Sequence, residues 1–107
     1  MKNEFPVKLG APLSIAEERC YRIILLSGAH LISTREIAQQ YFHMIDVNES
    51  DISTMWEKIN YIKRKLGDSE IICIPGKGYV SRRMLINEMV VNKGNIGIND
   101  IIKRIEN

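Results

Sequence analysis

Apolar residues recur along this chain with two different periods. Between Ile52 and Leu66 they fall at Ile52, Met55, Ile59, Ile62 and Leu66, steps of three and four that line one face of a helix. Shortly after, Glu70-Ile71-Ile72-Cys73-Ile74-Pro75 makes a compact apolar run, suited to a strand. Gly76-Lys77-Gly78 supplies a turn, and Tyr79-Val80 begins a returning strand. Two earlier helices are marked by their starts. Ser14 with Glu17, and Ser33 with Glu36, each have the spacing of a capping box, in which the hydroxyl accepts from the third helical N–H and the carboxylate reaches back. The first of these helices runs to about Ser27, where Gly28 stops it. The second carries Ile37, Ala38, Tyr41 and Phe42 and ends near His43. Residues 43–50 form a loop, and the third helix starts around Ser50 or Asp51. At the N-terminus, residues 5–9 suit a short strand. Towards the C-terminus, Met84–Val91 suits a further strand extending the sheet. Asn92-Lys93-Gly94-Asn95 is a turn signal, and Asn99 can cap a last helix over Asp100–Glu106 with Ile101, Ile102 and Ile105 on one face.

Composition bounds the chain without naming a partner. At 107 residues and 45% hydrophobic, one domain with one core is expected. No apolar run approaches the roughly 18–20 residues a membrane span needs. The N-terminal Met1–Pro6 lacks the apolar core of a signal peptide. The two cysteines, Cys20 and Cys73, therefore read as buried apolar thiols in a reducing compartment, and the expected location is cytoplasmic. Net charge is only +2, but its distribution is uneven. Residues 1–57 carry five basic and eight acidic side chains, whereas residues 58–83 carry seven basic and two acidic. Positive charge clustered on a helix and a turn is the footprint of a phosphate-binding face. Lys63, Arg64 and Lys65 also suit the C-terminus of any helix, whose dipole favours cations.

Opposite the apolar stripe the third helix presents Ser50, Ser53, Thr54, Glu57, Asn60, Tyr61 and Arg64. Trp56 and Lys63 lie on one flank, and Lys58 and Lys65 on the other. These residue types suit duplex DNA. Asn60 can pair with adenine, Arg64 with guanine, and Glu57 can accept from the cytosine amine. Ser53, Thr54 and Tyr61 can bond phosphate or base, while Lys58 and Lys63 supply charge. Thr34 and Arg35 open the second helix, where free N–H groups favour a phosphate. Lys77 at the turn can enter a minor groove. Each has a plainer role as well: the face can be simply solvated, Trp56 can be a half-buried packing residue, and Tyr79 can pack on the core. A catalytic role finds no support. His30 and His43 stand alone, no Cys/His spacing suits a metal, and Gly76-Lys77-Gly78 lacks the helix that follows a phosphate loop. No enzyme activity, metal or cofactor is expected.

From Leu13 to Arg83 the chain resembles the DNA-binding effector domain of OmpR/PhoB-type response regulators, also found in ToxR- and CadC-like regulators. The matching stretches are Leu13-Ser14-x-x-Glu17, Ile32-Ser33-Thr34-Arg35-Glu36-Ile37, Phe42 where the family usually has Trp, Ile59-x-x-Ile62-Lys63-Arg64-Lys65-Leu66, and Ile74-Pro75-Gly76-Lys77-Gly78-Tyr79. The resemblance implies an α+β winged helix-turn-helix: a three-helix core, a C-terminal β-hairpin wing and a short additional C-terminal segment. Residues 1–83 would form the DNA-binding domain and 84–107 an extension of it, for packing or for dimerisation. The family's N-terminal sheet is expected to be shortened or lost here, and a receiver domain to be missing.

The expected function is a sequence-specific, double-stranded DNA-binding transcriptional regulator of bacterial type. Helix 51–66 would enter the major groove, and the wing, about 70–82, the adjacent minor groove or backbone. A winged-helix protein–protein module that binds another regulator is the second expectation. Partners are then double-stranded DNA, a second copy of the chain or another regulator protein, and no membrane.

Overall fold

The computed structural model describes residues 9–91, with side chains through 88. Helix α1 spans Ile15–Leu26, α2 Thr34–Phe42 and α3 Glu49–Leu66. Strands β1 (Ile71–Ile74) and β2 (Gly78–Ser81) follow, then α4 (Arg82–Val91). Over the described residues the fold is therefore α+β, with three helices, an antiparallel hairpin and a fourth helix. Except for Leu9, which sits in a turn with Gly10, the expected strand at 5–9 lies outside the described residues, as does the expected helix at 100–106.

Reciprocal caps set the start of each of the first three helices. Glu17 N–H donates to Ser14 Oγ at 3.1 Å and Ser14 N–H donates to Glu17 Oε1 at 2.9 Å. Ser33 and Glu36 repeat these distances. Asn48 and Asp51 form the third box: Asp51 N–H donates to Asn48 Oδ1 at 2.9 Å, and Asn48 N–H to Asp51 Oδ2 at 3.1 Å. This box starts α3 at Glu49, before the expected Ser50 or Asp51, because an amide and a short carboxylate satisfy the orphan N–H groups as a serine and glutamate would.

The stripe on α3 behaves as its spacing requires. Met55, Ile59 and Ile62 are fully buried, and Ile52 and Leu66 pack against them. Cys20, Tyr21 and Ile24 of α1 and Ile37 and Ala38 of α2 meet them, with Ile32, Val47, Ile71 and Tyr79 completing the cluster. Two basic side chains weld the helices at the margin of this core. Arg19 donates to Tyr41 O at 2.8 Å and lies over the Tyr41 ring at 4.2 Å. Lys65 donates to Glu17 Oε1 at 2.6 Å and to Pro12 O at 3.2 Å.

The Lys65–Glu17 pair makes stability depend on acid. Burial alone raises the Glu17 pKa, but hydrogen bonds from Lys65 and Ser14 and the lysine's charge outweigh it and hold the group below its ordinary 4.5. The folded state thus binds fewer protons than the unfolded chain. The pair's contribution is complete above pH 4.5 and is lost as pH falls through the lowered folded value. Lys65→Met should cost about 1–2 kcal/mol at pH 7 by leaving a largely buried carboxylate without its cation, held by the Ser14 N–H alone. Urea midpoints of the two proteins should converge as pH falls through that lowered value and Glu17 becomes protonated. A gap that is unchanged at low pH would mean that the lysine acts by packing alone.

The hairpin pairs Ile71 with Ser81, Ile72 with Val80, Cys73 with Tyr79 and Ile74 with Gly78. Its turn is type II in form: Pro75 precedes Gly76, whose φ is +78°, and Lys77 N–H donates to Ile74 O at 2.9 Å. The hairpin is not attached through its own strands alone. Ile32, between α1 and α2, bridges to Tyr79, with Tyr79 N–H donating to Ile32 O at 2.8 Å and Ile32 N–H to Tyr79 O at 2.9 Å. Gly78, with φ +138°, allows this approach: a Cβ there would lie 2.5 Å from Ile32 O.

Two expectations are corrected. Residues 84–91 do not extend the sheet; they belong to α4, which packs on β2. Ser81, fully buried, receives Met84 N–H on its Oγ at 3.3 Å, so the strand ends in a helix-starting serine. Cys73 is exposed, whereas Cys20 is buried as expected. Burial pushes the Cys20 thiol up to about 12.

Candidate nucleic-acid interface

Helix α3 owes its exposed side to the depth of its stripe. With Met55, Ile59 and Ile62 turned fully inward, the helical repeat turns Ser53, Glu57 and Arg64 outward, and all three are exposed. Tyr61 joins them, and the Arg64 guanidinium lies 6.0 Å from its ring centroid. Asn60 and Lys63 are half-buried at the edge of this surface. Thr54 is also half-buried, and its hydroxyl donates back to Ser50 O at 2.9 Å. It is thus satisfied within the helix. Glu57 makes no hydrogen bond or ion pair among the described residues.

Lys58 stands apart from this group. It lies on the flank facing α2, with Nζ 5.9 Å from the Tyr41 ring. Lys65, on the same flank, is held by Glu17. The basic run at the end of α3 therefore divides, with Lys65 holding the helices together, Arg64 facing outward and Lys63 between.

Thr34, Arg35 and Lys77 form a second group around the start of α2. Ser33, Thr34, Cys73, Lys77 and Tyr79 line an open groove of about 190 Å³ between that helix start and the hairpin turn. Tyr79 is buried, and Thr34 interacts with its phenol, whose pKa burial raises. Tyr79 is thus a packing residue of the core. Arg35 is exposed, but its Nη1 donates to Val47 O at 3.4 Å, bracing the loop before α3. Lys77 is exposed at the turn.

Several surface features were not legible in the pattern. Trp56 is 55% exposed, where a half-buried packing residue on the flank was the plainer expectation. It sits one turn before Asn60 on the flank of α3. Met44 and Ile45 are exposed in the loop between α2 and α3, which Gln39 braces by donating to Ile45 O at 2.8 Å. Arg82 and Arg83 are exposed where the chain leaves the hairpin. Among the described residues, no three His, Cys, Asp or Glu side chains gather as metal ligands would, and no helix is long and apolar enough to cross a membrane.

Comparison with family models, with curated proteins and with solved structures found no match to this chain.

Proposed function

We propose that this chain is a winged helix-turn-helix regulator of transcription that binds double-stranded DNA by sequence, of the OmpR/PhoB type and cytoplasmic. The observation that carries the proposal is the outward surface of α3: hydrogen-bonding and charged side chains at Ser53, Glu57, Asn60, Tyr61 and Arg64, on a helix whose other side is fully committed to the core. Such a helix offers base-edge contacts to a major groove. The hairpin acts as the wing, with Lys77 on phosphate or in the adjacent minor groove. The start of α2, with Thr34 and Arg35, takes a backbone phosphate. The surplus of basic residues over 58–83 supports this division of labour, with Lys63 adding charge at the edge of the surface. A homodimer on two half-sites fits the same mode of binding.

One observation favours a second reading. Tyr61 within this surface and Trp56 beside it are large and exposed, as the anchors of a protein-binding face would be. Under that reading the chain docks on another regulator rather than on DNA.

Binding to random duplex DNA separates the two. Affinity of the wild type should fall at least about tenfold between 50 and 200 mM salt, as released counterions require. Arg64→Ala with Lys77→Ala should weaken binding at both salts and, through loss of the Lys77 phosphate contact, reduce the slope of log affinity against log salt by about one. Both residues are exposed, so the melting temperature serves as the folding control. Salt-independent retention that is the same for both proteins would reject the DNA proposal.

A further inference from the structure

We propose that Glu57 is the specificity-determining residue of the α3 surface and that it selects cytosine. The inference rests on the DNA-binding reading above and concerns what that surface reads. Glu57 is exposed, lies almost opposite the buried stripe, and has no hydrogen bond or ion pair among the described residues. It is the one acidic side chain among Ser53, Asn60, Tyr61 and Arg64. A carboxylate placed there serves neither the core nor the caps.

Its chemistry narrows what it can meet. An ionised carboxylate only accepts hydrogen bonds. In the major groove guanine offers N7 and O6 and thymine O4, all acceptors, which repel it. Adenine offers the N6 amine, but beside the N7 acceptor. Cytosine alone offers a donor, the N4 amine, with no acceptor on its own major-groove edge. Everywhere else on the duplex Glu57 faces phosphate charge, so binding out of register is penalised. Discrimination therefore comes from repulsion as much as from attraction.

The helix also provides a ruler. Arg64 stands seven residues beyond Glu57, about 10.5 Å along the axis. That is about three base steps of a duplex strand. The cytosine read by Glu57 thus stands about three base pairs from the guanine read by Arg64, with the position nearest Asn60 between them.

Selection from a randomised duplex pool tests this with three proteins: wild type, Glu57→Ala and Glu57→Gln. Wild-type sites should share one C·G pair, with cytosine preferred about fivefold to tenfold over other bases there. Glu57→Ala should lose the preference at that pair alone and bind random duplex about threefold more tightly, through relief of phosphate repulsion. Glu57→Gln should move the preference at the same pair to adenine, whose N6 and N7 match an amide. If the wild type enriches a shared site and neither variant changes any position in it, the Glu57 proposal is overturned while the DNA-binding reading stands. If the wild type binds no duplex, both are overturned.

Discussion

Gly78→Ala should cost about 3–5 kcal/mol of stability, a large part of the roughly 5–15 kcal/mol that holds a small domain together. The methyl group would lie 2.5 Å from Ile32 O, 2.7 Å from the Ile32 carbonyl carbon and 3.1 Å from Ser33 N. All three obstacles are backbone, so no side-chain rotation relieves the contact. The hairpin must move away from the Ile32 segment, breaking the two hydrogen bonds between Ile32 and Tyr79. Ser33 follows Ile32 and caps α2, so the helix start is disturbed as well. The residue's φ of +138° adds strain of its own. Gly76→Ala is the natural comparison. Its φ is +78°, but a Cβ there meets nothing within 4 Å, so about 1 kcal/mol of backbone strain is expected. Urea midpoints of the two variants should differ widely. Equal losses would show that the Ile32 bridge contributes little.

Ile59→Ala should remove about 3 kcal/mol, the usual cost of a cavity at a fully buried isoleucine. Ile59 sits midway along the stripe with Met55 and Ile62, where α1, α2 and α3 converge, so collapse around the missing carbons is resisted from several sides. In thermal unfolding, Tm should fall by about 12 °C or more. Tyr61→Ala, two residues further on, should change stability by no more than about 0.5 kcal/mol, because that side chain is 43% exposed. A similar Tm loss in both variants would show that the two sides of α3 are not divided as described.

The contrast between those two variants also marks what was legible in the sequence. The Ile52–Leu66 stripe was legible because helical period is a local signal, and each of its five positions packs inward. The Ser14 and Ser33 caps were legible for the same reason, since donor and acceptor lie three residues apart. Asn48 was missed because the asparagine–aspartate version of the box is easily read as loop. Helix α4 was not legible because Ile86, Val90 and Val91 suit a strand as well as a helix, and its start depends on Ser81, which ends β2. The Ile32–Tyr79 bridge joins positions far apart in the chain, so no local pattern announces it. At the candidate site, the outward set on α3 followed from period alone. The withdrawal of Lys58 and Lys65 toward α1 and α2 did not, because it depends on Tyr41 and Glu17. Trp56 shows the same limit: aromatic bulk suggests packing, but exposure is decided by what neighbouring elements leave uncovered.

The different surroundings of the two cysteines have a practical consequence. Cys20 is sealed inside the helices with its thiolate strongly disfavoured, whereas Cys73 stands open on the hairpin beside Lys77. A maleimide dye added to the native, unmutated chain at neutral pH should therefore attach at a single place, because the thiolate is the reacting species. The label would sit on the hairpin, next to the turn that the proposed function places on DNA. The chain thus carries its own fluorophore anchor, and a change in its emission on adding duplex is a direct readout for the proposed binding.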